Sequence, residues 1–446
     1  MSNQKNIAIG IVKILQDAGY QSVFAGGAVR DFLMGTDPHD FDIATSAYPH
    51  QVQELFPHNI EVGKAFGVMV VIVEGIQFEV ATFRRDLFGD FNFEGRHPSS
   101  VEFSAMFEDA NRRDLTINGI FIDPITGTVY DYVGGQEDIK NKVIRFIGDP
   151  EDRILEDHLR LMRVIRFKNR LGFEYDPITA KMVKDHSALI KKISVERIAD
   201  EITKILSQSI KRSAALEDLR DFGILQHILP EVQDMVGCEQ PVDYHPEGDV
   251  FIHTGIALNV LPKDVSPELL WATLLHDVGK PPVKEWDDRK GRLVFNRHEM
   301  KGSYMSRQIL TRLKFSNDFI DSVCSLVENH MKFCVIRDMK KSTLKRFVTM
   351  DRFDEHLELH RADCLASHGG LDNLQFIKEA MDSFAGEPGG KVVLPDRLLN
   401  GNDLIVLGFK PGPQFKEILE AVDTEHLEGT ISSREQALEF VKTKYV

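Results

Sequence analysis

The sequence predicts an α+β protein in which a mixed α/β N-terminal part is followed by mostly helical domains. Short apolar runs at 60–62, 68–73, 76–83, 101–103, 119–123 and 128–132 are separated by Gly, Pro and Asp turns, which is typical of strands. From about residue 150, as in RILEDHLRLMRVIRFKNRLGF and ISVERIADEITKILSQS, apolar residues recur every three or four positions, which indicates helices. A chain of 446 residues also exceeds one ordinary core.

Changes in texture along the chain predict four domains. Residues 1–145 carry the strand pattern, whereas 146–240 are helical. A looser stretch, GCEQPVDYHPEGDV, precedes a second helical block at 241–390 that holds most of the histidines. The remaining residues, 391–446, contain LPDRLLNGNDLIVLGFKPGPQF, whose Gly/Pro pairs mark a turn between short helices.

Composition excludes several classes of protein. With 54 basic and 69 acidic residues the net charge is −15, so any site for a polyanion must be a local patch. The 4 cysteines show no CxxC spacing, which argues against a disulfide framework or a zinc ribbon and favours a reducing cytosol. The longest apolar run, GVMVVIVEG, is too short to span a bilayer, and the N-terminus lacks signal-peptide features. We therefore expect a cytoplasmic protein with no membrane partner.

A first group of chemistry-bearing residues lies in the segment GGAVRDFLMGTDPHDFDIA. Asp40 and Asp42 are two positions apart, and on a strand such side chains project from one face. Two carboxylates this close are tolerable when a hard cation such as Mg²⁺ lies between them. Gly27 and the glycine before it allow close approach of a phosphate, and Arg30 adds a cation. The alternative is a turn with a solvated acidic end.

A second group follows in EDHLRLMRVIRF. Asp157 and Arg160 are expected on one face of one helix, where the carboxylate accepts from an exocyclic amine and the guanidinium donates to ring acceptors. Such a pair favours C and A over U and G. Arg163 and Arg166 continue the same ridge and are expected to reach phosphates. The alternative is an amphipathic helix with a cationic, solvated face.

A third group consists of histidines and aspartates in the second helical block. Imidazole and carboxylate ligands that converge from separate helices suit a transition metal or a mixed pair of metals. The alternative is a scaffold that has kept these residues without catalysis. The residues are His253, His276, Asp277, His298, His330 and Asp363.

Five motifs in order resemble one known family. The segment GGAVRDFLMG with DFD is followed by RRDLTINGI at 112–120, DYVGGQEDI at 131–139, EDHLRLMRVIRF at 156–167 and SVERIADEI at 194–202. This order is similar to that of class II template-independent nucleotidyltransferases, the CCA-adding enzymes and bacterial poly(A) polymerases. The histidine-rich block resembles the HD superfamily of metal-dependent phosphohydrolases, whose ligand order is H…HD…D.

The resemblance implies a domain plan and a reaction. Residues 1–145 would be the catalytic head, 146–240 a helical neck that binds RNA, 241–390 an HD domain and 391–446 a helical tail. The enzyme would add or repair the 3′-terminal CCA of tRNA with CTP and ATP, releasing pyrophosphate, while the HD domain hydrolyses phosphoesters. Alternatives are a poly(A) polymerase, an enzyme that adds only CC or only A, and a nucleotide phosphohydrolase with an RNA-binding N-terminal domain.

The resemblance also assigns roles to residues, with tRNA, CTP and ATP as partners and no protein partner evident. Mg²⁺ would be bound by Asp40 and Asp42, with Glu79 as a third acidic group or else a solvent-facing strand residue. The segment 84–103 resembles the flexible loop that the family links to the switch from C to A addition. The other assignments are Arg113 on the triphosphate, Asp114 on the ribose, His253, His276, Asp277 and Asp363 on a first HD metal of unknown identity, His298 and His330 on a second, and Lys280 near a phosphate.

Overall fold

The chain divides into two compact units, Met1–Gln233 and Asp234–Val446. The computed structural model describes residues 3–38, 40–61, 67–87, 100–243 and 245–445. The first unit holds a sheet followed by helices and the second is almost entirely helical, so the predicted α+β class is confirmed. None of the described helices has an apolar stretch that could carry it through a bilayer.

The first half of unit one is built on a mixed sheet of seven strands in the order β3-β4-β5-β2-β1-β8-β9. Each apolar run that the sequence analysis identified overlaps a strand. The strands of this sheet are β1 (Ser22–Ala25), β2 (Asp42–Thr45), β3 (Asn59–Glu61), β4 (Val68–Val73), β5 (Ile76–Thr82), β8 (Ile120–Ile122) and β9 (Val129–Asp131), whereas β6 (Arg84–Leu87) and β7 (Ser100–Phe103) form a separate antiparallel pair. The helices are α1 (Asn3–Asp17), α2 (Gly27–Leu33), α3 (Pro49–Leu55), α4 (Met106–Asn111) and α5 (Gly135–Asn141).

The register at the centre of this sheet determines where the first acidic residues lie. Strand β2 runs antiparallel to β1, with Asp42 opposite Ala25, and parallel to β5, with Ile43 opposite Val80. Asp42 therefore begins its strand beside the turn that leads from β1 into α2. A buried apolar core, which includes Ile11, Leu15, Val29, Val71 and Phe78, packs α1, α2 and α3 against the sheet.

The second half of unit one is helical, with one short parallel strand pair, β10 (Val143–Ile144) and β11 (Glu174–Tyr175). Its helices are α6 (Pro150–Glu156), α7 (Arg160–Leu171), α8 (Pro177–Asp185), α9 (Val195–Gln208), α10 (Arg212–Asp221), α11 (Leu225–Ile228) and α12 (Pro230–Gln233). The expectation that Asp157 and Arg160 share one helix is wrong. Asp157 is extended (φ −148°, ψ 104°) and separates α6 from α7. Its carboxylate accepts the backbone N–H of Leu159, a local bond that competes with helix formation.

Arg166 also differs from the sequence expectation. Its guanidinium Nε donates to Glu201 of α9 at 2.7 Å, and both side chains are buried. The side chain of Arg166 is therefore directed at α9, because a buried guanidinium needs a carboxylate partner. The pair fastens α7 to α9 within the helical half of unit one.

Unit two places the histidine-rich motifs at or near helix ends. His253 lies on α13 and Asp363 on α19, whereas His276 and His330 directly follow α14 and α17, and His298 begins α16. The helices are α13 (Val250–Val260), α14 (Pro267–Leu275), α15 (Lys280–Val283), α16 (His298–Arg312), α17 (Asn317–Asn329), α18 (Lys341–Val348), α19 (Phe353–Ala366), α20 (Asp372–Ala385), α21 (Gly401–Val406), α22 (Pro413–Glu428) and α23 (Arg434–Tyr445). A hairpin, β12 (Glu285–Asp287) and β13 (Arg292–Val294), precedes α16.

Candidate active sites

A cavity of about 540 Å³ in unit one gathers most of the residues predicted for nucleotide binding. Residues from both halves of this unit line it. The segment that carries Asp40 and Asp42, called the DxD segment below, is thereby brought close to the beginning of α7. The predicted residues that line the cavity are Gly27, Arg30, Asp40, Asp42, Arg113, Asp114, Asp157, Arg160 and Arg163. Glu79 and Arg166 do not line it, and neither does any described part of the predicted flexible loop, of which residues 88–99 lie outside the described chain.

The acidic end of this cavity carries negative charge that Arg113 offsets only in part. Burial and then the charge of Glu79 raise the pKa of Asp42, and Asp40 adds to the rise against the opposing charge of Arg113. Glu79 is thus close enough to act on Asp42, although it is exposed on β5. Among the described residues these carboxylates do not form a three-ligand group. Two carboxylates are nevertheless what Mg²⁺ requires when substrate phosphates supply further oxygens.

The glycine pair lets this acidic end meet a cation. Gly26 has φ 64°, a left-handed conformation that favours glycine. A Cβ there would lie 3.2 Å from an Nη of Arg113 and 3.6 Å from an Oδ of Asp42. The bare backbone therefore leaves room at the point where the positive and negative sides of the cavity meet.

A buried amide links two of the predicted nucleotide ligands. Arg30 donates to the Oδ1 of Asn118 at 2.8 Å, and the Nδ2 of Asn118 donates to Asp114 at 3.1 Å. Asp114 also accepts from the Nε of Arg163 at 2.8 Å. A continuous chain of hydrogen bonds thus runs from α2 through segment 112–120 to α7. Asn118 was missed by the sequence analysis, although it lies inside the quoted RRDLTINGI motif.

Asp114 is saturated with donors in this conformation. One oxygen accepts from Leu115 N and Asn118, and the other accepts two guanidinium hydrogens of Arg163. Although burial opposes ionisation, the charge of Arg163 and the bond from Asn118 hold the pKa of Asp114 well below its usual range. A ribose hydroxyl that binds this carboxylate has to displace one of these donors.

The two predicted base-reading residues are held by separate partners. Asp157 accepts from Arg197 of α9 at 2.8 and 3.1 Å, which fixes its carboxylate at the cavity. Arg160 donates to Glu156 at 2.6 Å and to the carbonyl oxygen of Arg112 at 3.0 Å. Both side chains therefore line one cavity even though they do not share a helix.

His158, between these two residues, is buried and its Nδ1 lies 2.9 Å from the carbonyl oxygen of Ile154. It does not line the cavity. Its ring therefore contacts the protein interior and not the space beside the base-reading pair.

Two further residues of α7 line the cavity that the sequence analysis did not assign. Arg163, Phe167 and Arg170 lie at i, i+4 and i+7, so they share one face of the helix. The Phe167 ring lies 5.4 Å from the guanidinium carbons of both Arg30 and Arg163. This helical spacing was visible in the sequence and could have identified Phe167 and Arg170.

The predicted metal ligands of unit two converge in the structure. The Nε2 atoms of His253 and His276 are 3.3 Å apart, and His253 Nε2 lies 3.0 Å from Asp363 Oδ1. On the other side, the Nε2 atoms of His298 and His330 are 3.2 Å apart. Except for Asp363, these residues are buried.

Asp277 joins the two halves of this cluster. Its Oδ2 lies 3.3 Å from His276 Nε2, and its Oδ1 lies 3.4 Å from His298 Nε2. Two three-ligand groups result, one of His253, His276 and Asp277 and one of Asp277, His298 and His330. This approach needs Gly279, where a Cβ would lie 2.2 Å from the carbonyl oxygen of His298.

The hydrogen bonds of the histidines test whether a metal fits. The Nδ1 atoms of His298 and His330 lie 2.9 and 2.6 Å from the carbonyl oxygens of Phe295 and Val327, so each Nδ1 carries the proton. Burial, with the charges of His298 and His276, lowers the pKa of His330 to about 3, so this ring is neutral. Two Nε2 lone pairs therefore face each other, an arrangement that a cation between them stabilises.

A second cavity, of about 440 Å³, opens on this cluster and is lined by Asp277, His298, His330 and Asp363. Lys280 also lines it, with its ammonium group 2.7 Å from Asp277 Oδ2 and 2.6 Å from Gln240 Oε1. Lys290 and Arg292 add positive charge to the wall. The lining therefore suits an anionic group beside the metal ligands.

Family models match most of the chain. They describe a Poly A polymerase head domain at 22–145, a probable RNA and SrmB-binding site of polymerase A at 172–235, and an HD domain at 242–367.

Individual relatives give the same result. The chain is 43% identical over 229 residues to the CCA-adding enzyme of Geobacillus sp. (strain WCH70), covering 51% of this chain and 55% of that protein. It is 39% identical over 274 residues to the CCA-adding enzyme of Bacillus subtilis (strain 168), covering 61% and 64%. The chain thus spans less than two thirds of the length of these curated relatives.

A solved structure extends the likeness to the whole fold. The crystal structure of Bacillus stearothermophilus CCA-adding enzyme in complex with CTP has a TM-score of 0.74 at 26% identity, with 100% of this chain and 99% of that chain covered. These matches confirm the resemblance that the motifs indicated. The chain therefore carries a Poly A polymerase head domain, a region like the RNA-binding site of polymerase A and an HD domain, in a fold similar to that of a CCA-adding enzyme.

Proposed function

We propose that this protein adds or repairs the 3′-terminal CCA of tRNA, using CTP and ATP and releasing pyrophosphate. The observation that carries the proposal is a cavity of unit one in which Asp40 and Asp42 line the same space as Asp157 and Arg160. The residues proposed to activate the phosphate and those proposed to read the base therefore line one cavity, so a single nucleotide could contact both sets. The names of the relatives, and the CTP bound in one of them, support it.

Each part of an incoming nucleotide has a partner in this cavity. Asp40 and Asp42 would hold Mg²⁺, which when bound activates the attacking ribose hydroxyl and offsets charge on the leaving pyrophosphate. Arg30 and Arg113, with Gly27 between the strand and helix, would bind the triphosphate. Burial and the charge of Glu79 raise the pKa of Asp42, and a cation beside this carboxylate would offset both effects. The terminal hydroxyl of the RNA would attack the α-phosphate in line.

The base and ribose would be read from the other wall. The free lone pairs of Asp157 accept the exocyclic amine that C and A share, while Arg160 donates to a ring acceptor. Asp114 would bind the ribose by exchanging one Arg163 hydrogen bond for the hydroxyl. This reader favours C and A alike, so it does not separate CCA addition from poly(A), CC-only or A-only addition.

We further propose that the HD domain binds two divalent metals and hydrolyses a phosphoester. Both domain types imply the use of divalent metals. The imidazole-rich set around Asp277 favours a transition metal over Mg²⁺. Such a metal lowers the pKa of a bound water, and Lys280 would bind the phosphate. A hydrolase with an RNA-binding N-terminal domain is the alternative, as is an HD scaffold without catalysis.

The first prediction concerns the DxD segment. Asp42→Asn removes a Mg²⁺ ligand, so nucleotide incorporation into tRNA lacking CCA should fall by at least about 10²-fold. The products are sized after incubation with CTP, ATP or both. Asp37→Asn, the same change at an exposed residue of the same segment, should leave incorporation unchanged.

Two outcomes would contradict this proposal. Incorporation that survives Asp42→Asn would show that the metal assignment is wrong. If the wild type produced a ladder of many A residues, the activity would be poly(A) synthesis and the proposal of CCA addition would be wrong.

The second prediction concerns base choice. Asp157→Asn replaces an acceptor with a group that also donates, so the preference for CTP over UTP should fall by about 10- to 100-fold. Relative kcat/KM for the two nucleotides measures it, and Asp152→Asn, exposed on α6, is the matched control. An unchanged ratio in Asp157→Asn would remove this residue from base reading.

The third prediction concerns the HD cluster. Co²⁺ at about 100 times the Kd of a site should stabilise the wild type by about 2.7 kcal/mol for each occupied site, because the metal binds only the folded cluster. His276→Ala should lose the contribution of the group of His253, His276 and Asp277 yet still incorporate nucleotides, whereas His426→Ala, in the tail, should keep both. Denaturant unfolding with and without Co²⁺ measures the effect. Equal stabilisation of all three proteins would contradict metal binding at this cluster.

A further inference from the structure

The segment 237–250, which the sequence suggested only as a boundary, contacts the HD metal ligands. Its Gln240 is buried and accepts from Lys280, and its His245 lines the second cavity. Its Glu247 lies 2.6 Å from His253 Nδ1 and 2.9 Å from His245 Nδ1, through the same oxygen, Oε1. The segment therefore forms part of the wall around the cluster.

His253 differs from the other three clustered histidines in the partner of its Nδ1. His276, His298 and His330 each bond through Nδ1 to the carbonyl oxygen three residues earlier. His253 instead bonds to a carboxylate, Glu247. A carboxylate both fixes the ring orientation and makes the opposite nitrogen a stronger ligand than a neutral carbonyl does.

Glu247 has no other described role. Its side chain is only 7% exposed, and its second oxygen, Oε2, is buried with no hydrogen-bond donor among the described residues. Its two described side-chain partners, His245 and His253, are both imidazole rings. Burying a carboxylate is costly unless it is paired, so its position needs a compensating gain at the histidines.

We propose that Glu247 is the positioning residue of one half of the HD metal site. It holds His253 with Nε2 directed at Asp363 and His276, and it fixes the His245 ring at the cavity wall. This inference rests on the proposed metal binding. Glu247 has no described contact with His298 or His330, so its effect should be confined to the group of His253, His276 and Asp277.

The test is a Co²⁺ titration of the metal-free 446-residue chain. Calorimetry and the visible absorption spectrum of bound Co²⁺ monitor two binding events, one for each three-ligand group. In Glu247→Gln, the affinity of the group of His253, His276 and Asp277 for Co²⁺ should fall by about 10- to 100-fold, and the spectrum of the Co²⁺ bound there should change. The affinity of the other group, Asp277, His298 and His330, for Co²⁺ should stay within about twofold of its wild-type value. Glu239→Gln, the same change at an exposed residue of the same segment, should match the wild type in both events.

The outcomes separate this inference from the metal proposal. Wild-type protein that binds no Co²⁺ overturns both. Unchanged affinity in Glu247→Gln, or equal weakening of both events, overturns the positioning role alone. If circular dichroism shows that Glu247→Gln is unfolded, Glu247→Asp is titrated instead, because it keeps the charge but withdraws it by one methylene. In Glu247→Asp, a loss of Co²⁺ affinity confined to the group that contains His253 supports the positioning role, whereas unchanged affinity overturns it.

Discussion

The ion pair between Asp114 and Arg163 is the contact on which the arrangement of unit one depends. It joins the segment that follows α4 to the helix α7, and Asn118 extends it to Arg30 on α2. Because a buried carboxylate is stable only with donors, the pair holds the cationic face of α7 beside the segment that carries Asp114. This face and the acidic residues at the start of β2 line the same cavity. At the acidic end of the cavity, burial and the charge of Glu79 instead raise the pKa of Asp42.

The HD cluster is organised in the opposite way. In unit one each buried arginine of the network meets a carboxylate or an amide, so the network is stable by itself. In unit two the histidines already use Nδ1, and their Nε2 atoms face one another across 3.2 and 3.3 Å. The carboxylates of Asp363 and Glu247, acting against burial, raise the pKa of His253 to about 9, so a metal that binds its Nε2 displaces a proton. One unit thus holds a preformed polar network, and the other holds a ligand set that a cation completes.

Much of this could be predicted from sequence because period and spacing are local. Alternation identified the strands, and adjacent motifs brought His276 and Asp277 to one cluster. Predictions that depended on a distant partner did worse. Arg166 was expected at phosphates, but Glu201, 35 residues later, takes its guanidinium. Apolar spacing alone predicts one continuous helix through Asp157. The structure interrupts the helix there, because the side chain of Asp157 accepts a hydrogen bond from the backbone N–H of Leu159. Glu247 carried no recognisable motif, and its closeness to a ligand emerges only when the loop before α13 folds back.

A double-mutant cycle on Asp114 and Arg163 tests the central claim most directly. The free energy of unfolding is measured for wild type, Asp114→Asn, Arg163→Met and the double variant. If this pair holds the two halves of unit one together, the double variant should be less destabilised than the sum of the single variants, with a coupling of about 1–3 kcal/mol. Single effects that add to within about 0.5 kcal/mol would contradict the account, because the two side chains would then contribute independently.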